Sequence, residues 1–150
     1  MAKTYSSIYI HYVFSTKNSD PLIAETFRDR LWSFMGGIAR DNCMMATRIG
    51  GMEDHVHLLL SLPTTISIAK GIQLIEGGSS AWVNENIPGM GTFGWQEGYG
   101  AFSVSISHLP ETIAYIDNQA KHHRERSFQE EYLGFLKKHG IHCDERYVWD

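Results

Sequence analysis

The chain has 150 residues, 43% of them hydrophobic and 20% charged, a globular composition that excludes disordered, collagen-like and membrane classes. That length suffices for one buried core and leaves a second independent unit cramped, so residues 1–150 are read as one domain. A formal net charge of -4 weighs mildly against nucleic acid, whose phosphates are usually met by Lys and Arg.

Along the chain, Ile8, Ile10, Tyr12 and Phe14 alternate with Tyr9, His11 and Val13, which predicts a first strand over Tyr5 to Ser15. Asp20-Pro21 ends it. Phe27, Leu31, Phe34, Met35 and Ile38 then recur at helical spacing from about Ala24 to Asp41. Cys43 to Ile49 and His55 to Leu62 read as a hairpin turned at Gly50-Gly51. Thr65 or Ser67 caps a second helix carrying Ile68, Ile72, Leu74, Ile75, Trp82 and Val83, with Gly77-Gly78 expected to interrupt it. A loop rich in glycine and aromatics, Gly89 to Gly100, leads to a strand over Ala101 to Ser107. Pro110 opens a helix over about Glu111 to Arg124, and Ser127 caps another from about Phe128 to His139, stopped by Gly140.

This order implies an α+β fold: a ferredoxin-like, or RRM-like, antiparallel sheet with packed helices and a C-terminal helical extension. The start, from Met1 to Tyr5, runs into a strand pattern rather than a signal-peptide core, and no apolar run is long enough to span a bilayer. The expected location is the cytoplasm, with no membrane partner. Cys43 and Cys143 lie far apart without Cys-x-x-Cys spacing and are read as packing residues. Acidic residues gather near the C-terminus in Glu130, Glu131, Asp144, Glu145 and Asp150, while Lys121, His122, His123, Arg124 and Arg126 form a local basic cluster.

Two pairs of residues can carry chemistry. In a strand, His55 and His57 project from one face while Val56 and Leu58 point to the other, so the imidazoles can converge on a metal or simply form a polar face. Asp54 beside them suits a partner that hydrogen-bonds and orients a ligating imidazole, or a turn residue. Tyr115 and Gln119, four apart in a predicted helix, share a face that His122 continues; an ordinary amphipathic helix would also produce that spacing. Together, two neutral imidazoles and an amide oxygen leave positions on a divalent ion open to phosphate oxygens. A phenol has an unperturbed pKa near about 10, so Tyr115 needs the field of such an ion, or a nearby base, to attack at neutral pH.

These residues sit among further motifs: Gly50-Gly51 and Asp54 before His55-Val56-His57-Leu58-Leu59-Leu60, Ser79-Ser80 with Trp82, Trp95-Gln96 with Gly98-Tyr99, and Tyr115-Ile116 with Asn118-Gln119 and His122-His123. In that order they resemble the single-tyrosine HUH transposases, both those of insertion sequences that move as single-stranded DNA and their domesticated REP-associated relatives. The likeness runs from the Tyr9 to Ser15 strand to the closing Arg146-Tyr147-Val148-Trp149-Asp150. The resemblance implies an HUH endonuclease fold and a homodimer. It also implies a Mg²⁺- or Mn²⁺-dependent nick through a 5'-phosphotyrosine intermediate at hairpin-marked ends of single-stranded DNA. By position, His55, His57 and Gln119 match the metal ligands and Tyr115 the nucleophile, with the tyrosine helix able to complete a partner's site. The chain departs from the pattern at Glu76-Gly77-Gly78-Ser79-Ser80-Ala81, where relatives often carry Lys or Arg.

Lys121, His122, His123 and Arg124 directly follow the proposed catalytic face and are candidates for holding DNA; Trp95 is a candidate for stacking on unpaired bases, alongside Phe93 and Tyr99. For Trp95 the plainer reading is cover for the sheet edge, and for His11 a satisfied sheet histidine. Two other function classes stay open: an RRM-like nucleic-acid binder without catalysis, which would show aromatics where the third strand has His55 and His57, and a metal-dependent hydrolase that would not depend on Tyr115.

Overall fold

The computed structural model of the chain describes residues 3–144 together with Val148 and Trp149. Arg146, Tyr147 and Asp150 of the closing motif, and the acidic Glu145, lie outside the described residues, as do Met1 and Ala2. Strand β1 (Tyr9–Ser15) lies inside the sheet and pairs antiparallel with β3 (His55–Ser61) on one side and β4 (Gly100–Val104) on the other. With β2 (Met45–Gly51) outside β3, the sheet order is β2-β3-β1-β4. Helices α1 (Glu25–Asp41) and α2 (Ile68–Asn86) connect β1 to β2 and β3 to β4. This is the expected ferredoxin-like order, mixed α+β with an antiparallel sheet.

The period of two places the core. Ile10, Tyr12 and Phe14 of β1 join Val56, Leu58 and Leu60 of β3 in one cluster with Leu31, Met35, Ile72, Ile75 and Val83 of the two helices. Each such buried side chain contributes roughly 1.5–3 kcal/mol relative to exposure. The alternate residues face the other way, where Val13 and Phe102 meet Phe128 and Leu136. His11, His55 and His57 share that second face, enclosed within the fold at 3% exposure or less. It is covered by α3 (Leu109–Asp117), α4 (Gln119–Glu125) and α5 (Phe128–Lys138).

Several elements differ from the sequence expectation, each for a local reason. Cys43 adopts φ 62°, closing the turn after α1, so β2 starts at Met45 rather than Cys43. Cys43 and Cys143 are both exposed free thiols, which corrects their reading as packing residues. Gly50 and Gly51 belong to β2, and the hairpin turns through Met52 to Asp54 instead. α2 runs unbroken through Gly77-Gly78, because a Cβ on Gly78 would stand 2.7 Å from Ile38 Cδ1; the glycine admits α1 at close range rather than breaking the helix. β4 stops at Val104, and Ile106–His108 form a short 3-10 turn. The helix expected over Glu111 to Arg124 is split at Asn118, whose φ and ψ of -102° and 25° leave the helical range. Ser67 and Ser127 cap α2 and α5 as expected, accepting from the backbone N–H groups of Lys70 and Glu130. Among the described residues, no helix is long and apolar enough to cross a membrane.

Gly50 sets the distance between β2 and the tyrosine helix. A Cβ there would fall 2.7 Å from Ile116 Cγ2 and 2.9 Å from the Ile116 carbonyl oxygen, so α3 lies directly on the strand backbone. Gly50→Val is expected to destabilise the protein by about 1–3 kcal/mol, since neither the strand nor α3 can yield without losing its packing. A urea midpoint equal to wild type would show that the contact is soft.

Candidate metal and tyrosine site

The second face of the sheet gathers titratable groups from five elements around one buried carboxylate. His57 on β3 places Nε2 2.8 Å from Glu131 Oε1 on α5, and its Nδ1 shares a 2.8 Å hydrogen bond with Nε2 of His11 on β1. His55 places Nδ1 2.7 Å from Asp54 Oδ1 and Nε2 2.8 Å from Gln119 Oε1 on α4. The same Glu131 oxygen lies 3.6 Å from His55 Nε2 and 3.3 Å from His123 Nε2. Its other oxygen accepts from the Tyr115 hydroxyl on α3 and, at 3.4 Å, from the Gln119 amide. Packing holds the rings in place: Phe128 stacks on His55 at 4.5 Å, and Phe135 stands edge-on to both His11 and Tyr115.

The structure therefore brings together all four residues singled out as nucleophile and ligands, within one chain. Tyr115 and Gln119 remain neighbours across the break at Asn118, with the Gln119 amide 3.5 Å from the Tyr115 carbonyl. Asp54 acts as an orienting partner of His55, and His11 does the same for His57, a more specific part than that of a satisfied sheet histidine. His123 points inward, its Nε2 3.1 Å from Gln119 Oε1, while His122 stacks on the Tyr115 ring at 4.4 Å. Lys121 and Arg124 are exposed on α4. Trp95 packs edge-on against Phe14 and Phe93 and donates its indole N–H to Ser79, so its ring covers the helix-side core. The departure at Glu76 is on α2, across the sheet from the histidines.

Glu131 is the residue that sequence reasoning missed, having been grouped with the acidic C-terminal surface. It is 1% exposed. The signal was its position three residues after Phe128 and five before Leu136, on the apolar face of α5.

The donor set fits a divalent cation. Ligand bonds of about 2.1 Å at right angles separate neighbouring donors by about 3.0 Å; three donor pairs here lie 2.8–3.6 Å apart, and the ligand atoms of His55, His57 and Glu131 all lie within 4.8 Å of one another. His55, His57 and Glu131 form a three-residue group suited to an ion, with Gln119 Oε1 beside it. Lone-pair accounting agrees. When His55 Nδ1–H donates to Asp54, Nε2 of a neutral ring is a lone pair facing the Gln119 carbonyl oxygen, and a cation between them resolves that opposition.

Burial dominates the electrostatics. It pulls the His57 pKa down to about 4, partly opposed by Glu131, and lowers that of His11 well below the usual range with help from His57. For Glu131 burial acts upward, but the hydrogen bond and field of His57, the Tyr115 hydroxyl and the field of His55 outweigh it and hold the carboxyl far below the ordinary range. Burial, then the Glu131 hydrogen bond and charge, raise the Tyr115 phenol, with Arg126 acting in the opposite direction.

A sequence profile of the IS200-like transposases matches residues 4–119. No curated protein matches the chain. Among solved structures, a chain from Deinococcus radiodurans R1 described as a transposase superimposes with a TM-score of 0.63 at 24% identity, covering 79% of this chain and 98% of that one. A REP-associated tyrosine transposase bound to a REP hairpin gives a TM-score of 0.61 at 13% identity, covering 82% of this chain and 73% of that one. At these identities the two likenesses show a shared fold. Glu131 and His123 lie beyond the matched stretch.

The shifted groups make stability pH-dependent. The unfolded chain protonates His57 near the ordinary histidine value while the native chain resists until about 4, so acidification through that window favours unfolding. Glu131 adds a loss below the ordinary carboxylate range, because its native pKa is depressed. The metal-free protein is expected to show a falling urea midpoint from about pH 7 to about pH 5, and His57→Gln a shallower fall. Parallel profiles would remove His57 from the account.

Proposed function

Since the chain belongs to the IS200-like transposase family, we propose that it nicks and rejoins single-stranded DNA with Tyr115 as the nucleophile. The observation that carries this reading is the shared carboxylate: Glu131 accepts from the Tyr115 hydroxyl through one oxygen and from His57 through the other. The attacking phenol is thereby fixed beside the cluster suited to a cation.

In the proposed step the Tyr115 oxygen bonds to phosphorus and the bond from phosphorus to the 3'-oxygen breaks. The phosphate stays on the 5' end of one strand, and the other strand leaves with a free 3'-hydroxyl. One proton departs the phenol to solvent and one reaches that hydroxyl from solvent; Glu131 Oε2 accepts the phenol's hydrogen bond and orients it. The new bond is again a phosphodiester, so rejoining needs no outside energy. His55, His57 and Gln119 with Glu131 would hold a Mg²⁺ or Mn²⁺ ion, which when bound would supply Lewis-acid polarisation of the phosphate. His11 and Asp54 hold the two imidazoles in the required tautomers. His122 stacks on the Tyr115 ring and limits its rotation.

The substrate side of the proposal is single-stranded DNA with hairpin-marked ends, in keeping with the REP hairpin bound by a solved structure of the same fold. Lys121 and Arg124 supply exposed cations one turn beyond the site, with His122, His123 and Trp95 as lesser candidates for DNA contact. The assembly is proposed as a homodimer; in the arrangement described here each chain furnishes both the histidines and the tyrosine of its own site.

Incubation with single-stranded hairpin DNA and Mn²⁺ should give a covalent protein–DNA adduct on denaturing gels for wild type and none for Tyr115→Phe. Cleavage that survives Tyr115→Phe would point to a hydrolase using water, and no cleavage with any hairpin to a binder without catalysis. His57→Ala should abolish metal-dependent nicking. Glu131→Gln keeps the shape of the side chain but not its charge, and is expected to weaken Mn²⁺ binding by at least about tenfold in calorimetry. Unchanged affinity would remove Glu131 from the metal site.

A further inference from the structure

Tyr115 also borders a cavity of about 380 Å³ between β1, α3 and α5, open to solvent on one side. Its size is at the small end of ligand sites and suits one nucleotide rather than a duplex. Half-buried Phe135 forms an aromatic wall, perpendicular to Tyr115 at 5.5 Å and to His11 at 5.2 Å. Arg126 and Lys138 bring positive charge to the lining, and Arg126 lines the same cavity as Tyr115. Glu111 at the rim and Glu131 inside balance the two cations, so the lining is formally neutral as a whole and disfavours a triphosphate, while Arg126 and Lys138 remain the groups able to meet a single phosphodiester charge. Gly134 lines the cavity, and a Cβ there would meet only Arg126 Nη1, at 3.9 Å, so a larger side chain at this position has room to enter the space.

We propose that this cavity is the subsite for the unpaired nucleotide whose phosphate Tyr115 attacks, with its base on Phe135 and its phosphate held by Arg126 and Lys138. The assignment rests on the reading of Tyr115 as the nucleophile. A base offers a π face to an aromatic wall whatever its identity, so the subsite accepts several bases. Arg126 lines the space where the phosphate enters, in the same cavity as the phenol.

Calorimetric titration of the full chain with dTMP and dAMP, and separately with inorganic phosphate, tests the subsite. Gly134→Leu fills the cavity without a backbone clash, and Lys138→Glu reverses an exposed charge; circular dichroism verifies that each is folded. Saturable nucleotide binding by wild type, weaker by at least about tenfold in both variants and tighter than phosphate alone, is the expected result. Unchanged affinity in both folded variants, or equal affinity for phosphate alone, would overturn the proposal. So would the absence of nucleotide binding by a wild type that still forms the tyrosine–DNA adduct. Nucleotide binding that both variants lose, without an adduct on any hairpin DNA, would support the subsite while removing Tyr115 as nucleophile.

Discussion

A carboxylate cannot be taken out of water alone, and Glu131 is almost fully enclosed. Donors must therefore surround it, and the second face of the sheet is arranged to supply them: His57 and His123 on one oxygen, Tyr115 and Gln119 on the other. Each donor comes from an element with its own reason to be there. The histidines are fixed by strand alternation, Tyr115 by the close seating of α3 on Gly50, and Gln119 by the new start of the helix after Asn118. A single buried charge thus ties α3, α4 and α5 to the sheet more specifically than apolar packing would.

The same carboxylate relates the folded chain to its chemistry. Without a cation, neutral His57 satisfies Glu131 from Nε2, whereas Nε2 of His55 meets the Gln119 carbonyl oxygen lone pair to lone pair. With one, His55, His57 and Glu131 could serve as ligands from where they stand, their ligand atoms lying within 4.8 Å of one another. Preorganisation of this kind lowers the cost of binding, since the groups are ordered before the ion arrives.

Much of this was legible in the residues. The alternation of β1 and β3 separated Tyr12, Phe14, Val56 and Leu58 from His11, His55 and His57, and the structure keeps that division. The pairing of Tyr115 with Gln119 survived even though the helix expected to hold them is broken. What escaped was information that is not local. Glu131 looked like one of several acidic residues near the C-terminus, and only tertiary packing reveals which of them is enclosed. Gly78 looked like a helix breaker because intrinsic propensity does not know that Ile38 passes beside it. Asn118 carried no strong breaking signal, and its effect comes from seating Gln119 at the start of a second helix.

The two-faced sheet also has an evolutionary reading. Packed layers stand about 10 Å apart, so changes on α1 and α2 are separated from the histidines by the full thickness of the sheet. The Glu76 departure belongs to that insulated side. Substitutions on the exposed sides of α1 and α2 can therefore change whatever that surface touches without reaching the histidine cluster. The sheet is a partition between the core that α1 and α2 bury and the face that carries the histidines.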